Sequence, residues 1–82
     1  MQLKPIDWSQ YKVFKWLNEN RFHPSIILSL KYCNGDLLFH MFRMYKKTPQ
    51  FFYDKLIAES KTDLTLTEIG RFTNELEKLF PE

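Results

Sequence analysis

Helix-start signals recur along this chain with little between them but apolar residues at helical spacing. That punctuation constrains the fold more than any other feature. Asp7 followed by Gln10 fits a capping box, which sets the first helix near Asp7 or Ser9. Trp8, Tyr11, Val13, Trp16 and Leu17 then recur at helical spacing, and Phe14 widens the apolar stripe. Residues 18–23 read as a turn, with Asn20 taking the left-handed cap position. Pro24 suits the first turn of a second helix, whose buried face is Ile26, Ile27, Leu30 and Tyr32. Asn34-Gly35 stops that helix as a turn device, since glycine tolerates positive φ. Asp36 caps a third helix with an apolar face of Leu37, Leu38, Met41, Phe42 and Tyr45, and Lys46-Lys47 suit its C-terminus, where cations meet the helix dipole.

Thr48-Pro49 opens a fourth helix, with Phe51, Phe52, Leu56 and Ile57 as its face, and residues 58–63 read as a polar loop. Thr65 followed by Glu68 is a second capping box. Leu66, Ile69, Phe72, Leu76, Leu79 and Phe80 follow at helical spacing until Pro81. Gly70 inside that helix costs about 1 kcal/mol relative to alanine. It marks either a solvated face or the close approach of another backbone. Residues 1–6 read as a lead-in strap, extended at Lys4 by Pro5.

No segment shows the alternation of a strand. The expected fold is all-α, a compact five-helix bundle with a longer C-terminal helix, forming one domain over residues 1–82. A 10.0 kDa chain hides about 9,000 Å² on folding, enough for one small core and too little for a multidomain enzyme. Two glycines leave no room for a glycine-rich phosphate loop. An aromatic share of 17% is more than a disordered chain carries. Cys33 has no partner for an internal disulfide, which fits a reducing compartment, and residues 1–5 lack the apolar region of a signal peptide. The expected setting is cytoplasmic or nuclear, with no transmembrane segment.

Net charge is +2, unevenly spread. Arg43, Lys46, Lys47, Lys55 and Lys61 stand against Asp54 and Glu59 over residues 43–61. Arg71 and Lys78 stand against Asp63, Glu68, Glu75, Glu77 and Glu82 after them. A basic middle and an acidic end favour electrostatic pairing, within the chain or with a partner. The basic middle reads in three ways: a solvated face, a patch for acidic proteins, or a patch for RNA or anionic lipid. Tyr45, Phe51 and Tyr53 interleave with its cations as stacking platforms would, although Phe51 and Tyr53 leave a helix on different sides.

One constellation is more specific. Trp8, Val13 and Trp16-Leu17 are followed by Asn34-Gly35-Asp36-Leu37-Leu38 and, at the end, by a longer helix. This resembles the sterile alpha motif (SAM) and Pointed superfamily, with its W-x-x-x-x-V-x-x-W-L opening. Trp16-Leu17, Phe22, Pro24, Asn34-Gly35 and Leu38-Phe39 are similar to the C-terminal SAM/Pointed-like domain of the epidermal growth factor receptor kinase substrate-eight family. The resemblance covers residues 8–45. It implies a protein-interaction adaptor, binding another SAM-type domain or itself head to tail. The mid-loop face would then include Lys31, Arg43, Lys46 and Lys47, and the end-helix face Thr67, Glu68 and Arg71. These charges are reversed relative to the family's usual signs. The substrate-eight branch also implies actin binding, through Phe14, Lys15 and Lys46-Lys47.

Catalytic and metal chemistry find little support. His23, Cys33 and His40 lack the paired spacing of a zinc site. Cys33, His40 and Asp36 have no spacing that specifies a nucleophile with its base, and Glu75 and Glu77 lie on different helix faces. The expectation is a non-catalytic interaction module without a cofactor. Its candidate residues are Phe14, Lys15, Lys31, Arg43, Lys46, Lys47, Glu68 and Arg71. Nucleic-acid or lipid binding by the basic middle is the first alternative, and actin binding the second.

Overall fold

The computed structural model describes residues 4–60 and 64–81. Among them a 3-10 turn, Pro5–Asp7, is followed by α1 (Gln10–Glu19), α2 (Pro24–Ser29), α3 (Gly35–Lys47), α4 (Pro49–Ser60) and α5 (Leu66–Leu79). No described residue lies in a strand. The all-α class, the five helices and the slightly longer last helix agree with the sequence.

Side chains cap the helix starts. Ser9 Oγ accepts from the Lys12 amide at 3.2 Å, so Ser9, not Asp7, opens α1. Asp7 instead ends the 3-10 turn. His23 Nδ1 accepts from the Ser25 amide at 3.1 Å ahead of Pro24. Asn34 Oδ1, rather than Asp36, caps α3 by accepting from the Leu37 amide at 2.9 Å. Thr65 Oγ1 accepts from the Glu68 amide at 3.2 Å, as the capping box requires. Thr48 closes α3 by donating its amide to the Met44 carbonyl, and Pro49 follows as the first residue of α4. That helix runs on to Ser60, three residues into the stretch read as loop; residues 61–63 of that loop lie outside the described residues.

The α1–α2 turn is a Schellman motif. The Phe22 amide donates to the Leu17 carbonyl and the Arg21 amide to that of Asn18. The left-handed residue is Arg21, at φ 54°, while Asn20 stays right-handed. The motif turns Phe22 inward, edge-on to Phe72 of α5 at 5.3 Å between ring centroids.

Val13, Leu17, Ile26, Leu38, Phe42, Phe72 and Leu76 form the fully buried centre, with Phe22, Leu30, Cys33, Phe52, Leu56, Ile69 and Phe80 around it. Trp8 and Trp16 pack on its edge, partly exposed. Thr73 is also buried, its hydroxyl donating to the Gly70 carbonyl at 3.1 Å.

Gly35 does different work from that expected, and Gly70 keeps to its solvated-face reading. Gly35 has no positive φ. It opens α3 beneath the Pro5–Asp7 turn, and its amide donates to the Trp8 carbonyl at 2.8 Å. A Cβ there would overlap the Pro5 carbonyl oxygen and stand 2.7 Å from the Trp8 nitrogen. Close backbone approach therefore belongs to Gly35. At Gly70 an added Cβ meets nothing within 4 Å, which removes the close-approach reading there. The segment read as a lead-in strap is extended at Lys4 and part of the packed structure from Pro5 onward.

Candidate functional site

The third helix carries more apolar residues than one buried face can hold. Leu38 and Phe42 enter the core, while Leu37, Met41 and Met44 line a second stripe beside it. On α4, Phe52 and Leu56 are buried and Phe51 points out of the core, 51% exposed. Between the two stripes and the end of α2 lies an apolar groove of about 590 Å³. Leu30, Cys33, Phe52 and Leu56 are the buried side chains that line it. Tyr32, Leu37 and Met44 also line it, at 71%, 51% and 36% exposure. Burial pushes the Cys33 thiol up to about 11, so the groove holds a neutral thiol and not a nucleophile at neutral pH.

The groove's polar lining is mixed in charge. Lys55 reaches over the Phe51 ring, 5.7 Å from its centroid. Lys31 lies 4.9 Å from the centroid of the Tyr32 ring. His40 also lines the groove, with Asp36 one turn earlier at 3.8 Å. Glu59 is the acid of the lining. Lys47 stands three residues beyond Met44, one turn on along the same side of α3.

The candidate residues separate into three groups. Arg43, Lys46 and Lys47 share the last turns of α3, all exposed. Lys46 forms an ion pair with Glu77 of α5, so the basic middle and the acidic end already meet inside one chain. Phe14 and Lys15 are exposed on α1, Phe14 by 40%. Arg71 is held internally: its guanidinium donates to the Arg21 carbonyl at 2.6 Å and lies 5.0 Å from the Phe22 ring centroid. Glu68 supplies its amide to the Thr65 cap, and its Oε2 is buried.

Sequence reasoning named Lys31 and Lys47 but missed Tyr32, Leu37, His40, Met44, Phe51, Lys55 and Glu59 as one surface. The signal was present. An apolar set at i, i+1, i+4, i+5 and i+8 on α3 is wide enough for two neighbours. Lys61 lies outside the described residues. Of the three aromatics weighed as stacking platforms, Phe51 is on the groove, and Tyr53 packs at 6.2 Å against Tyr45. Among the described residues no cluster of His, Cys, Asp and Glu could hold a metal ion, and no helix is long and apolar enough to cross a membrane. No family model matches the chain, and no curated protein or solved structure matches it.

Proposed function

We propose that this chain is a non-catalytic protein-interaction domain, with the groove face of α3 and α4 as its contact surface. The observation behind this reading is the convergence of Tyr32, Leu37, Met44 and Phe51 on one apolar groove. Contiguous exposed apolar surface of this kind marks an interaction site more often than a bare exterior. The Trp8, Val13, Trp16-Leu17 opening and the five-helix order accord with an adaptor of the SAM/Pointed type. A head-to-tail self-contact between the basic and acidic regions is weakened as an idea by the Lys46 pair with Glu77, which engages one charge from each within the chain.

The test is quantitative affinity capture with the wild-type domain and its Phe51→Asp and Phe14→Asp variants, each checked for helicity by circular dichroism. The expected result is a protein partner lost with Phe51→Asp and kept with Phe14→Asp. Recovery of nucleic acid in place of protein, with a steep log-linear salt dependence, would overturn the reading in favour of the cationic alternative. Co-sedimentation with actin filaments that Phe14→Asp abolishes and Phe51→Asp spares would overturn it in favour of the α1 face.

A further inference from the structure

We infer that the groove is covered by a second copy of this chain, in a closed two-fold dimer that seats the α3–α4 face of each copy on that of the other. This rests on the interaction reading above and names the partner for that same surface.

The groove has two unlike ends. Met44 and Phe51 lie four and three residues either side of Thr48, so they stand together at the end nearest that junction. Leu37 and Glu59 each lie eleven residues from Thr48 and line the same groove, which puts them at the far end. Tyr32 and Cys33, just ahead of α3, join them there. Exposed apolar side chains are thus shared between the ends, Met44 and Phe51 at one, Leu37 and Tyr32 at the other. A two-fold contact requires a patch that is complementary to itself. An axis across the middle of the groove lays each end on the opposite end of the other copy, so Phe51 meets Leu37 and Tyr32 of the second copy.

Charge follows the same symmetry. Lys55 and Glu59 line the groove, with His40 between the ends on α3. Lys55 reaches back over the Phe51 ring, 5.7 Å from its centroid, which places its ammonium group toward the junction end. Glu59 stands at the far end. The two-fold therefore brings Lys55 of each copy to Glu59 of the other, in two reciprocal pairs. A groove of one sign would repel its own copy, whereas one whose charges cancel fits it. Among the described residues neither Lys55 nor Glu59 has an ion pair within the chain. A lysine one turn ahead of a glutamate is also the weaker order along a helix. Lys31 and Asp36 flank the far end without lining the groove, and offset each other.

Area sets the strength. At their observed exposures, Tyr32, Leu37, Met44 and Phe51 offer roughly 400–500 Å² per copy. Two copies together bury roughly 800–1,000 Å² of such surface, at the low end for specific contacts. The dimer is therefore weak and forms only as concentration rises.

The test is sedimentation equilibrium of the intact domain from micromolar to millimolar concentration, with backbone amide shifts followed over the same range. The expected result is a monomer–dimer equilibrium without larger species, with concentration-dependent shifts on α3 and α4. Phe51→Asp, with helicity checked by circular dichroism, should stay a monomer. Lys55→Glu and Glu59→Lys should each weaken the dimer about tenfold, because each sets like charges against one another at both pairs. An equimolar mixture of those two variants should regain the wild-type affinity, since their charges are opposite at both contacts. A chain that stays monomeric throughout, while Phe51→Asp abolishes capture of a different protein, would overturn the second copy and leave the interaction reading in place. A monomer whose captures are indifferent to Phe51→Asp would overturn both. A dimer untouched by Phe51→Asp, a mixture that stays dissociated, or growth into open polymers would overturn the two-fold groove contact.

Discussion

Replacing each glycine in turn by alanine should move stability in opposite directions. Gly35→Ala places a methyl group against the Pro5 carbonyl oxygen, the Trp8 nitrogen and Ile6 backbone carbon, all main-chain atoms that cannot swing aside. The Pro5–Asp7 turn must lift. The hydrogen bond from the Gly35 amide to the Trp8 carbonyl is then lost, worth about 1 kcal/mol. Uncovering roughly 100 Å² of Ile6 and Trp8, both now partly buried, costs about 2.5 kcal/mol more. Alanine's better helix propensity returns less than about 1 kcal/mol at a first-turn position. The net loss is about 2.5–3.5 kcal/mol, or a fall in Tm of roughly 10–20 °C for a domain of this size. Gly70→Ala meets no atom within 4 Å and should stabilise by up to about 1 kcal/mol. Thermal and urea unfolding, followed by circular dichroism and tryptophan emission, measures both. Equal or greater stability for Gly35→Ala would refute the packed N-terminal turn. Destabilisation by Gly70→Ala would refute its open position.

Three further outcomes are expected. Arg21→Gly should stabilise by about 0.5–1 kcal/mol in urea titration, because it relieves a left-handed side chain at φ 54° and keeps both turn hydrogen bonds. Arg71→Ala should cost about 1–2 kcal/mol by losing the Arg21 carbonyl and the Phe22 ring; a partner-contact role alone would leave unfolding unchanged. Burial raises the Cys33 thiol from 9.0 to about 11 and also raises the Tyr53 phenol, so the unfolded chain sheds protons first as the solution becomes alkaline. Stability should therefore be flat through neutral pH and fall as pH climbs from 9 towards 11; Cys33→Ala should make that fall shallower, as read from urea midpoints across the range.

Much of the architecture was legible because helix ends are written locally. Thr65 with Glu68, Pro24, and Thr48-Pro49 each act within one turn of themselves, and each stands where the sequence placed it. Choices between neighbouring residues were harder. Ser9 over Asp7, Asn34 over Asp36 and Arg21 over Asn20 depend on the angle at which the chain enters or leaves the helix, which distant packing sets. Gly35 was identified as special for the wrong cause, since the backbone it accommodates comes from residues 5–8. Surface roles were least legible. Arg71 and Lys46 look like free cations in sequence, yet each meets a group that only the fold brings near. The groove arises from α2, α3 and α4 together, so no single stretch announces it.

The junction between the Pro5–Asp7 turn and the first residue of α3 also decides how the domain would bear load. A pull on the chain ahead of Pro5 reaches the Gly35 amide through the Trp8 carbonyl before it can unwind α1 from the core. Tension is thereby handed across sequence to the middle of the chain, at the helix that forms one wall of the groove. Stretching from that end should first peel the turn and expose Trp8 to water, while α4 and α5 keep their packing. The helix junction would act as a mechanical fuse, read by a change in the emission of Trp8 and its neighbour Trp16.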